Sequence, residues 1–215
     1  MQTLLVIDAQ NEFSAHGLRP VPNHTEALHA IRWRVAQARQ EGRPIVWVRH
    51  HNRPDESRAF VPGSWGAAFS PGLGPLPERR AEVDFVKDVF GAFTGTAVGT
   101  WLEAQRSHEV FIVGFFTHMC VSTTAREALM RGLRVAVDPN ATGAFPVRHE
   151  LLGEQSAEDV RRTALLHLSH LGVRILPREP GDKPGDTYLI ALASSPRERT
   201  CAVKPNSCRI SSTSS

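Results

Sequence analysis

Val110-Phe-Ile-Val-Gly-Phe-Phe-Thr-His-Met-Cys-Val121 opens with four consecutive apolar residues bounded by Gly114. That is the pattern of a strand buried on both faces, as in a parallel sheet covered by helices. Cys120 follows the glycine after a short loop and precedes a run in which Val121, Ala125, Ala128 and Leu129 fall on one face at helical spacing, with Gly132 as the stop. A buried strand therefore carries the chain to its carboxyl end, a loop turns, and a cysteine stands where a helix begins. Free backbone N–H groups and the positive end of the helix dipole favour a thiolate there, so chemistry is expected at this turn.

Working outward, Thr3–Ile7 reads as a first strand ending at Asp8. Asn23 or Thr25 is placed to cap a helix whose apolar face is Leu28, Ile31, Val35 and Ala38, stopped by Gly42. Pro44–Val48 is a second strand, Asp84–Val86 a third that delivers Lys87, and Leu133–Val137 a further one ending at Asp138. A helix is expected from Thr94 or Thr96 through Leu102. Another, capped by Ser156 with Asp159 three residues on, carries Leu165, Leu168 and Leu171 before Gly172 and a last strand at Val173–Leu176.

Strands alternating with helices through short connections predict an α/β fold: a three-layer αβα arrangement on a doubly wound, mainly parallel six-stranded sheet. The organised domain is read as residues 1–178, with 179–215 a poorly ordered C-terminal extension holding one apolar patch, Tyr188–Leu192. Between His50 and Arg80 the pattern dissolves into prolines and glycines, and the two histidines at its start, His50 and His51, read as loop residues facing solvent. Long loops of this kind tend to be lids or subunit contacts, and Trp65 and Phe69 give this one something to bury.

With 215 residues and 41% hydrophobic composition the chain can bury a sizeable core. A formal charge of +3 with scattered basic residues argues against nucleic acid as a partner. No apolar run is long enough for a membrane span, and the N-terminal run breaks at Asp8 with no basic region before it, unlike a signal peptide. Three cysteines do not make a disulfide framework. The expectation is a cytoplasmic protein that acts on a small molecule.

In doubly wound sheets ligands bind beyond the carboxyl ends of the strands, where strand order reverses. Asp8, Lys87 and Cys120 each follow such an end, so they are expected to gather on one edge. A cysteine nucleophile needs a proton carrier, for which Asp8 is suited, and a positive charge to hold thiolate and carboxylate together, for which Lys87 is suited.

Leu5-Val-Ile-Asp8-Ala-Gln10-Asn-Glu-Phe13, Val86-Lys87-Asp-Val-Phe90-Gly-Ala-Phe93 and Val113-Gly-Phe-Phe-Thr117-His-Met-Cys120 together resemble the isochorismatase-like cysteine hydrolases, over about Thr3 to Pro177. The resemblance implies that Asp8, Lys87 and Cys120 form a catalytic triad. It also implies a cis peptide at Phe115–Phe116 and an oxyanion hole made by the backbone N–H groups of Phe116 and Cys120. Phe116 is bulkier than the residue many members carry there, which narrows the pocket. Gln10, Phe13, Trp65, Phe93, Thr117 and His118 are the expected substrate contacts.

Nicotinamidases of this family hold a divalent ion on an Asp-x-His arrangement after the second strand. Here that stretch is Arg49-His50-His51, in which Arg49 puts a cation in place of the carboxylate, so neither a metal nor another cofactor is expected. The implied activity is hydrolysis of a small-molecule amide or related C–N bond through a covalent cysteine adduct, in a homo-oligomer. The competing readings are a vinyl-ether hydrolase, which has no use for Cys120, and a non-catalytic binding or oligomerisation module.

Overall fold

The computed structural model describes residues 1–176; the proposed extension from 179 onward and its Tyr188–Leu192 patch lie outside the described residues. Six strands form one wholly parallel sheet: β1 (Gln2–Ile7), β2 (Ile45–His50), β3 (Glu82–Lys87), β4 (Glu109–Phe115), β5 (Arg134–Gly143) and, after two short strands elsewhere, β8 (Arg174–Ile175). Their order across the sheet is β3-β2-β1-β4-β5-β8. The chain runs outward from β1 to β3, then returns to lay β4 on the other side of β1. The reversal point therefore lies between β1 and β4, where a crevice opens at the carboxyl ends of doubly wound sheets.

Alternation along the central strands supplies both cores at once. Leu4 and Val6 of β1, Trp47 of β2 and Phe111 and Val113 of β4 meet α1 (His24–Gln40) through Ala27, Ile31, Val35 and Ala38. Leu5, Ile7, Val46, Val48 and Ile112 point the other way. They meet α2 (Val98–Ala104), α3 (Ser122–Met130) and α4 (Ala157–His170) through Leu102, Ala125, Ala128, Leu165 and Leu168. Every residue of β4 is buried, as its unbroken apolar run requires.

Several boundaries depart from the sequence reading for local reasons. β5 does not stop at Asp138. It bulges, so that Ile112 pairs with Val137 but Gly114 with Thr142, and it continues because Ala141 and Thr142 are wholly buried. Asn23 precedes α1 without capping it by its side chain; its Nδ2 donates instead to the Thr142 carbonyl at 3.1 Å. The second helix starts at Val98, whose N–H donates to Thr96 Oγ1 at 3.3 Å. Ser156 does cap α4, accepting from the Asp159 N–H at 3.1 Å and donating to the Asp159 carboxylate at 2.7 Å. A small antiparallel hairpin, β6 (Val147–His149) with β7 (Gly153–Gln155), had no period-two apolar signal, since all six residues are exposed.

The 51–81 loop is fastened rather than free. Gln10 bridges Phe69, the Asn11 N–H donates to Ala68 O at 3.0 Å, and the Glu12 N–H donates to Gly66 O at 3.0 Å. The buried Glu12 carboxylate accepts from Leu18 N–H at 2.6 Å and Phe60 N–H at 3.0 Å, tying two loops to the end of β1.

Gly114 is the tightest point of the sheet. Its φ is +125°, and a Cβ built there would lie 1.8 Å from the Ile7 carbonyl oxygen. Gly114→Ala should lower unfolding stability by about 2–3 kcal/mol or more, read as a fall in the urea midpoint. An unchanged midpoint would show that β1 and β4 do not meet this closely.

Candidate active site

Asp8 stands just past the end of β1, with φ +51°, a left-handed conformation that aspartate tolerates better than most residues. Lys87 is the last residue of β3, and Cys120 lies in a π-helical turn, Thr117–Val121, between β4 and α3. The structure brings the three together. Lys87 Nζ donates to Asp8 Oδ2 at 2.8 Å and to Cys120 Sγ at 3.3 Å, and the Lys87 and Asp8 side chains are 0% and 1% exposed. Asp8 Oδ1 is buried without a hydrogen-bond partner, an acceptor left open on the same carboxylate.

Burial opposes the Lys87 ammonium, but the Asp8 carboxylate and then the cysteine outweigh it and raise its pKa. Burial pushes the Cys120 thiol up to about 12; the Asp8 carboxylate adds to the rise and Lys87 acts against it. Burial acts against the pull toward a thiolate expected from the helix start. Cys120 is 6% exposed and sits before the first turn of α3, and loss of hydration outweighs the dipole. Burial thus sets Cys120 against ionisation, with Lys87 the neighbour that favours it.

A cavity of about 320 Å³ opens onto Asp8 and Cys120. Phe13, Phe60, Phe116 and Phe145 form an aromatic wall, joined edge-on at Phe13–Phe116 (4.8 Å between centroids) and Phe116–Phe145 (4.7 Å), with Phe90 and Met119 completing it. Arg19, Asn52, Glu56 and Ser57 supply the polar side. The Phe115–Phe116 peptide is cis.

Of the expected substrate contacts, only Phe13 lines this cavity. Gln10 is fully buried and spent on the backbone: Oε1 accepts from His50 N–H at 2.8 Å, and Nε2 donates to His50 O at 3.0 Å and Ala67 O at 2.8 Å. Trp65 is 56% exposed and outside the cavity. Phe93 packs in the α2–α3 core beneath Arg131, and its backbone N–H donates to the buried Glu127 carboxylate at 3.0 Å. Thr117 is wholly buried away from the cavity, its Oγ1 without a hydrogen-bond partner. His118 faces a separate hollow beside Ser122 and His167, its pKa lowered by burial.

His50 was missed. It is the last residue of β2, not a loop residue, and it lines the cavity with Nδ1 3.3 Å from Lys87 Nζ. The strand-end rule that singled out Asp8 and Lys87 would have found it, had β2 been read two residues longer.

The residues do not fit a bound metal. His51, at the histidine position of the Asp-x-His arrangement, has a buried Nε2 without a hydrogen-bond partner, but Arg49 stands where the carboxylate would be and pairs with the neighbouring Asp84, while His50 has both ring nitrogens engaged, with Lys87 and with Asn52 Oδ1 at 2.8 Å. Among the described residues no three His, Cys, Asp or Glu side chains converge as a ligand set.

Residues 2–176 match the family model described as the isochorismatase domain. The chain belongs to the isochorismatase family. It is 30% identical to a streptothricin hydrolase of Streptomyces noursei over 182 residues, spanning 83% of this chain and 63% of that protein. It is likewise 30% identical to the nicotinamidase/pyrazinamidase of Mycobacterium tuberculosis over 164 residues, 66% of this chain and 87% of that protein. The crystal structure of an isochorismatase from Pseudomonas putida superposes with a TM-score of 0.75 at 27% identity, covering 82% of this chain and 87% of that one. The six-stranded parallel sheet is thus the fold of this hydrolase family. No helix among the described residues is long and apolar enough to cross a membrane.

A thiol raised this far by burial makes alkylation base-driven. With Cys201 and Cys208 replaced by serine, iodoacetamide labelling of Cys120 should rise about tenfold per pH unit between about pH 7 and about pH 10 without levelling. A plateau near neutrality would mean that Lys87 overrides burial.

Proposed function

We propose that this chain is a cysteine-dependent hydrolase that cleaves an amide or related C–N bond of a small molecule through a covalent Cys120 intermediate, with Asp8, Lys87 and Cys120 as its catalytic triad. The observation that carries this reading is the buried Lys87 ammonium holding Asp8 Oδ2 and Cys120 Sγ, whose residues both line one cavity. Relatives named streptothricin hydrolase and nicotinamidase/pyrazinamidase support the bond type.

In this mechanism Asp8 takes the thiol proton as Sγ bonds to the carbonyl carbon. The backbone N–H groups of Phe116 and Cys120 receive the oxygen that becomes negative. Collapse breaks the C–N bond while Asp8 returns its proton to the departing nitrogen. Asp8 then deprotonates a water that attacks the thioester, the C–S bond breaks, and the proton goes back to sulfur. Lys87 stays an ammonium throughout and stabilises whichever neighbour is anionic. A thiol that ionises only as substrate arrives suits this sequence, because a neutral sulfur is cheaper to bury at rest.

The aromatic wall selects flat, mainly apolar substrates that fit about 320 Å³. On a panel of small ring-bearing primary amides, read by ammonia release, Cys120→Ala should abolish turnover. Asp8→Asn should cut it about a hundredfold to ten-thousandfold, and a vinyl ether assayed alongside should be left intact. Full amidase activity in Cys120→Ala would end the proposal.

A further inference from the structure

Lys87 belongs to the outer strand β3, and β2 lies between it and β1. Strands are spaced about 4.8 Å apart, so the lysine stem must cross the end of β2 to reach Asp8. At that crossing stands His50, the register partner of Lys87. We propose that His50 is a positioning residue: its Nδ1 lone pair takes the third N–H of Lys87 and thereby points the other two at Asp8 and Cys120. This rests on the reading of Cys120 as the nucleophile.

The tautomer follows from the neighbours. Asn52 Nδ2 donates to Ala59 O at 3.0 Å, which turns Asn52 Oδ1 toward His50 Nε2 at 2.8 Å. Nε2 therefore carries the hydrogen and Nδ1 is free to accept. An ammonium has three donors and no acceptor, and the three partners of Lys87 are Asp8 Oδ2, Cys120 Sγ and His50 Nδ1 at 2.8, 3.3 and 3.3 Å. With the Lys87 side chain 0% exposed, bulk water does not replace a missing acceptor.

The imidazole is itself held in place. Gln10 grips the His50 backbone on both sides, and the Phe60 ring stands edge-on to it at 5.3 Å. Gln10, fully buried in the first loop, thereby spends two of its three side-chain hydrogen bonds on one residue of β2.

The test compares His50→Ala, His50→Asn and His50→Gln, each with Cys201 and Cys208 replaced by serine. The asparagine amide oxygen falls near the place of Nδ1 and keeps the acceptor. The glutamine amide reaches the place of Nε2 and keeps only the Asn52 contact. Iodoacetamide alkylation of Cys120 at fixed pH should fall about tenfold in the alanine and glutamine proteins and recover to within about threefold of the parent in the asparagine protein. Amide turnover should follow in kcat with little change in KM.

Alanine alkylating as fast as the parent would overturn the proposal. Equal rates for asparagine and glutamine would do so too, and that contrast holds even if the alanine protein fails to fold. Because alkylation reads the sulfur without substrate, the predicted contrast in a protein that hydrolyses no amide would uphold the positioning role while removing the hydrolase reading.

Discussion

A lysine ammonium with no exposed side-chain surface has to be met by acceptors, and meeting Lys87 organises the whole catalytic edge. Leaving such a charge unpaired costs several kcal/mol even after relaxation. One carboxylate oxygen, one sulfur and one imidazole nitrogen supply its contacts, each from a different segment of the sheet edge. The arrangement is therefore mutually dependent. Asp8 raises the Lys87 pKa, Lys87 tempers the burial of Cys120, and that burial in turn opposes ionisation of the sulfur.

That geometry needs a particular sheet order. Asp8 and Cys120 flank the reversal between β1 and β4, while Lys87 arrives from two strands away across His50. At Gly114, six residues before Cys120, β4 approaches β1 closely, beside the residue that precedes Asp8. The long loop after β2 then closes the aromatic side, fastened by Glu12 and Gln10 so that Asn52 and Phe60 stand at the cavity. Glu12, and Gln10 that the sequence suggested as a substrate contact, are thus braces for the wall.

Much of this was legible in one dimension. Continuous apolar runs ending in Asp8 and the cysteine turn, with the short Asp84–Val86 stretch before Lys87, mark parallel strands, and strand ends of such sheets share an edge. The aromatic wall was not legible. Phe60 and Phe145 lie in segments with no period, and whether an aromatic faces a cavity or a core depends on how such segments pack. Phe93 packs among the helices, whereas Phe60 stands at the cavity. His50 was hidden for a smaller reason, since strand ends are blurred by one or two residues.

By itself, the sequence determined the layer architecture and which acid, amine and thiol would meet, because burial period and strand direction are local properties that topology turns into proximity. Only the tertiary structure decided how burial opposes ionisation of the thiol, the third acceptor at the lysine and the lining of the cavity. Those depend on desolvation and on hydrogen bonds between segments 30 to 80 residues apart, such as Lys87 with Asp8 and with Cys120 and Gln10 with Ala67, which no pattern along the chain encodes.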